Sequence, residues 1–122
     1  MSLGRLLTGL GSLAVLGIGT GALLFPAAST RTYGIISNDA DTHAYIRAVA
    51  ARDLVMGGFC LWAASANDRK AMQAGLLVCI LAPLADFAAA YGRRGWIPQL
   101  AIHASGVAGI LATWWILRTE DA

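Results

Sequence analysis

Arg52 and Asp53 stand side by side, Asp86 and His103 follow further along the chain, and each falls within a stretch that is otherwise apolar. Carboxylates, an imidazole and a guanidinium withdrawn from water are the material of acid–base catalysis. Burial and a neighbouring cation decide which group gives a proton and which takes it. Their depth follows from a length argument. Between Asp53 and Asp68 lie only 14 uncharged residues, whereas a helix needs about 20 residues to cross the hydrocarbon. The span must begin near Tyr45 and carry Arg52 and Asp53 in with it. Ionisable groups at that depth are costly, rarely face lipid, and mark a functional site inside the bundle.

Hairpin arithmetic brings these groups together. If the second and third spans form a hairpin, residues whose numbers share one sum lie at equal depth, which pairs Asp53 with Asp86 and Cys60 with Cys79. Each aspartate is seven residues from its cysteine, two turns along the same face. About the next turn, centred between Arg94 and Gly95, Asp86 and His103 are equidistant. The expected catalytic set is therefore Asp53, Asp86, His103 and Arg52. The two carboxylates are expected to share a proton as an acid/base pair, with His103 as proton partner and Arg52 as charge partner or oxyanion holder. Tyr45 and Gln99 are the expected orienting groups, and Arg47 would guide a polar head group. Trp96 and Tyr91 complete the expected substrate-binding set, and with Trp114 and Trp115 they also suit interfacial anchoring. The competing account of the cluster is a buried ion pair that fixes helix register. Cys60 and Cys79 lie outside any C-x-x-C or Cys/His metal spacing and are read as packing residues.

The elements that must position these groups are membrane helices. Of 122 residues, 57% are hydrophobic and 13% charged, with a net charge of +2 and a mean hydropathy of +0.62. This is a membrane composition, and the scattered basic residues exclude a nucleic-acid patch. The expected architecture is all-α, an integral membrane antiparallel four-helix bundle in one domain over residues 1–122. Its helices are placed at about 6–28, 45–64, 71–91 and 96–117, with a polar loop at 29–44. Residues 6–30 carry no charge, too long an apolar run for a signal peptide. The first helix is Gly-rich, and its Gly17-x-x-x-Gly21 pair suits close approach by another helix, including that of a second copy in a homodimer. Asp41 or Thr42 can cap the second helix. Asp39 and Asp41 lack a third acidic partner, so no metal is expected there. No flavin, haem or nucleotide motif is present either, and no cofactor is expected. Both termini share one side, and the basic residues Arg5, Arg69, Lys70 and Arg118 there, against Arg31, Arg93 and Arg94 opposite, favour cytoplasmic termini.

The run Phe25-Pro26, Tyr33-Gly34, Tyr45-x-Arg47 and Ala51-Arg52-Asp53-Leu54-x-x-Gly57 resembles the small four-helix, DoxX-like membrane proteins classed as a domain of unknown function. The resemblance covers essentially the whole chain. It implies a four-helix membrane fold with a marked Arg-Asp at the head of the second helix, and it implies no reaction. Small multidrug exporters share the size but need a carboxylate in the first helix, which residues 6–30 lack. The leading expectation is an enzyme, an isomerase, cyclase or epoxide-opening catalyst, acting on a lipophilic small molecule. The alternatives are a proton-coupled carrier working as a homodimer, and a structural or accessory subunit.

Overall fold

The computed structural model describes residues 1–120; of the expected polar tail, Asp121 and Ala122 lie outside the described residues. Six helices follow in order: α1 Leu3–Leu24, α2 Pro26–Ser29, α3 Ala40–Ser65, α4 Arg69–Cys79, α5 Leu81–Arg94 and α6 Leu100–Thr119. Because α4 and α5 together form one span, Arg69–Arg94, the described residues hold four helices long and apolar enough to cross a membrane. They pack antiparallel as a multi-pass bundle, with both ends of the chain on one side.

The helix limits shift from expectation for local reasons. α1 ends at Leu24, not near residue 28, because Pro26 cannot continue the amide ladder and instead opens the short α2 as its first residue. α3 begins at Ala40, well before Tyr45. Its cap is Asp39, not Asp41 or Thr42: the Asp39 carboxylate accepts from the Thr42 amide at 2.8 Å and from the Ser37 hydroxyl at 2.8 Å. The Thr42 amide bond, helped by Ser37, holds the Asp39 carboxyl down at about 2. α6 begins at Leu100, not Trp96, and Pro98 lies in the turn that precedes it.

Large apolar side chains such as Leu10, Val55, Val78, Leu81 and Trp115 face outward, whereas the interior is built largely from Ala, Gly and Cys. With lipid outside, van der Waals fit between small residues does the packing. Gly57 and Gly19 make the closest approach of α1 to α3. A Cβ at Gly57 would lie 3.1 Å from the Ser12 carbonyl oxygen, and one at Gly19 would lie 3.1 Å from that of Ala50. Gly17 and Gly21 meet nothing within 4 Å. At 100° per residue they point away from the side that Gly19 presents to α3.

The two ends of the bundle differ. At the end that carries the termini, Ala63, Ala64, Met72, Leu76 and Leu117 form a closed core. Arg5 donates to the Ala64 carbonyl at 2.7 Å and the Gly4 amide to the Glu120 carboxylate at 2.9 Å, while Arg69 and Gln73 both donate to the Leu117 carbonyl. At the other end the third span breaks at Ile80, three residues before Pro83, whose ring crowds the Cys79 carbonyl and offers it no amide. Beyond the break α5 packs on α6 and makes no close backbone approach to α3, although α4 does.

Gly57→Leu is expected to lower stability by about 1–3 kcal/mol through overpacking against α1. Gly17→Ala, with open space around it, is expected to raise it by up to about 1 kcal/mol. Thermal melts of the two variants in one detergent check this, and equal shifts would contradict the α1–α3 contact.

Candidate functional site

The four spans enclose a chamber of about 370 Å³, walled by α1, α3, α6 and the α4–α5 span. That volume falls in the range of roughly 300–1,000 Å³ typical of ligand pockets. Leu7, Val15, Met56, Ile102 and Ile110 supply apolar wall. Four of the hydroxyls that line it sit on helices, and each donates to a carbonyl of its own helix: Thr8 to Gly4 at 2.8 Å, Ser12 to Thr8 at 2.7 Å, Ser105 to Ile102 at 2.7 Å and Thr113 to Gly109 at 2.8 Å. Such back-bonding spends the donors within the helix. Arg52, Asp53, Asp86 and His103 also line the chamber, as do Thr32 and Tyr33 of the loop.

The carboxylates do not meet each other, as a shared proton would require. The Arg52 guanidinium stands between them. Its Nε and Nη2 donate to Asp53 Oδ1 at 3.0 and 2.8 Å, and its Nη1 and Nη2 donate to Asp86 Oδ1 and Oδ2 at 3.0 and 2.9 Å. The fork on Asp86 is bidentate, the geometry that a planar guanidinium matches best. It spans the gap left where α3 and α5 part.

A fourth member comes from the polar loop. Tyr33 donates its hydroxyl to Asp53 Oδ2 at 2.9 Å. Ile35 and Tyr33 pack over Ala22, Ile46 and Ala50, and Gly34, at φ +74°, sits where a side chain would meet Ile97 at 3.0 Å. Arg94 donates to the Gly34 carbonyl at 3.3 Å and pins the loop from α5. Burial, reinforced by the Asp53 carboxylate, pushes the Tyr33 phenol well above its ordinary value. The sequence puts Tyr33 in the polar loop at 29–44 and does not mark it for this role. Its one signal was an aromatic hydroxyl beside a glycine able to take positive φ.

His103 is 6% exposed, and its Nε2 is the buried side-chain polar atom without a hydrogen-bond partner among the described residues. A buried polar atom left unpaired costs about 1–3 kcal/mol. The other expected binding residues lie apart from the chamber. Tyr45 lines a second cavity of about 890 Å³ on the loop side, to which Tyr33 and Asp86 also contribute. Arg47 is exposed and donates to the Leu23 carbonyl at 3.4 Å. Tyr91 and Trp96 form an exposed aromatic group with Phe87, the Tyr91 and Trp96 rings 5.2 Å apart. Gln99 immediately precedes α6 and does not line the chamber. Among the described residues no group of three or more His, Cys, Asp or Glu is placed to hold a metal ion.

Arg52→Leu would leave two carboxylates without their cation. Since the Arg52 side chain is 32% exposed, the expected loss is about 1–3 kcal/mol, below the 3–5 kcal/mol of a fully buried pair. A double-mutant cycle on Arg52 and Asp86 checks it, and zero coupling would show that the bridge carries no stability. Tyr33 adds a pH dependence. Because its folded-state value is raised, its contribution is complete below the ordinary tyrosine range and is lost as pH climbs above about 10. Tyr33→Phe should remove that part of the alkaline decline in stability.

Neither the curated proteins nor the solved structures yield a match to this chain. A family model does match, over residues 12–117, and it takes in every member of the ionic group and most of the chamber wall, all but Leu7, Thr8 and Gly11. The chain therefore belongs to the family described as Domain of unknown function (DUF4267).

Proposed function

We propose that this membrane protein admits a lipophilic small molecule bearing one oxygen function and acts on it by acid–base chemistry at the Asp53, Asp86, Arg52 and His103 end of the chamber. The observation that carries this reading is His103 Nε2, buried and unpaired, on a residue that lines a largely apolar chamber together with Arg52, Asp53 and Asp86. A hydroxyl or carbonyl on the bound molecule would complete its hydrogen bonding. Apolar ligand surface buried there contributes roughly 25 cal/mol per Å².

The ionic group suits a supporting role in proton transfer. With both carboxylates ionised, the trio of Asp53, Arg52 and Asp86 holds one negative charge in excess. That charge would stabilise the imidazolium formed when His103 takes a proton from the substrate, and Tyr33 would keep Asp53 oriented. Isomerisation, epoxide opening and cyclisation of a lipophile all need this give and take of a proton. A carrier would need access from both faces, and the closed core at Met72, Leu76 and Leu117 argues against it. The resemblance of the Tyr45-x-Arg47 and Arg52-Asp53 motifs to DoxX-like proteins fits this reading and names no substrate.

Gly109 tests the chamber. It lines the wall, and a Cβ there meets nothing within 4 Å. Gly109→Leu should therefore fold, gain helix propensity of about 1 kcal/mol, and lose any lipophile that native mass spectrometry finds on the purified wild type. Equal retention by both proteins would overturn the chamber reading. Once the retained molecule is identified, His103→Ala and Asp86→Asn should cut its turnover by about 10²–10⁴-fold without expelling it. Unchanged turnover would leave the polar group with a structural role alone.

A further inference from the structure

Two nucleophilic side chains in the chamber wall are not used by this chemistry. Cys60 on α3 and Cys79 at the end of α4 face each other with their Sγ atoms 3.7 Å apart, both buried, both free thiols and both lining the chamber. They meet at the tight part of the α3–α4 contact. Gly75 lies so close that a Cβ there would sit 3.1 Å from Cys60 Sγ, and no bulky group separates the sulfurs. The approach still needed for a bond is about 1.6 Å, within reach of a small side-chain rotation.

Access decides the reaction partner. The thiols are 5% and 8% exposed, so polar thiol reagents in water have no ready path to them. What reaches them is what the chamber admits, a lipophile, and His103, whose buried Nε2 lacks a partner, lines the same chamber. Among lipophilic two-electron oxidants, a quinone has a flat apolar ring and carbonyl oxygens that accept hydrogen bonds.

We infer that Cys60 and Cys79 form a redox-active dithiol whose electron partner is a lipophilic quinone bound in the chamber. Two S–H bonds break and one S–S bond forms. The electron pair and both protons pass to the quinone, whose two carbonyl oxygens become the hydroxyls of the hydroquinone, so that the protein is oxidised as the quinone is reduced. A Cys60 thiolate starts the exchange by adding to the quinone ring, and Cys79 then attacks that sulfur and releases the hydroquinone. The inference rests on the proposed function only in requiring that the chamber take a lipophile.

The test uses the full chain in lipid nanodiscs, anaerobically, with a short-tailed benzoquinone as the probe. The expected result is one equivalent of quinone reduced per chain, a loss of two hydrogen masses, and two thiols that resist alkylation after denaturation until a reductant is added. Cys60→Ser should abolish the consumption, Cys79→Ser should stop at a quinone adduct on Cys60 with no hydroquinone released, and Gly109→Leu should slow the reaction at least tenfold. Quinone seen bound by native mass spectrometry with both thiols still alkylated would overturn the redox inference and leave the chamber reading standing. No quinone bound and both thiols intact would overturn it too, and retention of other lipophiles then decides the chamber reading separately.

Discussion

One guanidinium joins two helices whose backbones do not approach each other. Arg52 extends from α3 and holds Asp53 beside it and Asp86 on α5, across the gap that opens beyond Ile80. Charges are expensive at this depth. They persist because each carboxylate oxygen pair is met by fixed N–H donors and by Tyr33, so little bonding capacity is left unmet. Remove the guanidinium and the loop end of the bundle loses its tie between α3 and α5.

Around that tie the bundle is asymmetric. Glycines at 19, 57 and 75 let α1, α3 and α4 close to backbone or ring contact, and Met72 and Leu117 fill the end near the termini. Toward the loop, Pro83 interrupts the third span, α5 leans onto α6, and Tyr33 and Ile35 pack inward to cover part of the space. The chamber is the volume between a tightly packed end and a splayed one. Away from the ionic group its walls are largely apolar, because the helical hydroxyls that reach them bond to their own helices.

Two groups of side chains share this one volume. His103, whose buried Nε2 has no partner among the described residues, lines it together with Arg52, Asp53 and Asp86, and the thiols of Cys60 and Cys79 lie two helical turns nearer the closed end. In an interior of low dielectric each polar contact is stronger than it would be in water.

The sequence by itself determined the number of spans and their antiparallel order. Helix rise and turn are rigid quantities, so residue numbers alone place Cys60 opposite Cys79 and gather Asp53, Asp86 and His103 around one chamber. Tertiary structure decided the rest. Which glycines make contact depends on where the neighbouring helix lies, and Gly19 and Gly57, not Gly17 and Gly21, face one. Arg52 bridges the carboxylates because its long side chain reaches across a gap that the break at Ile80 creates. Tyr33 joins them because a loop has no repeating geometry to announce where its side chains will point. The chamber is the space that packed helices leave between them, and a pattern of residues along each helix does not encode that space until all four are in place.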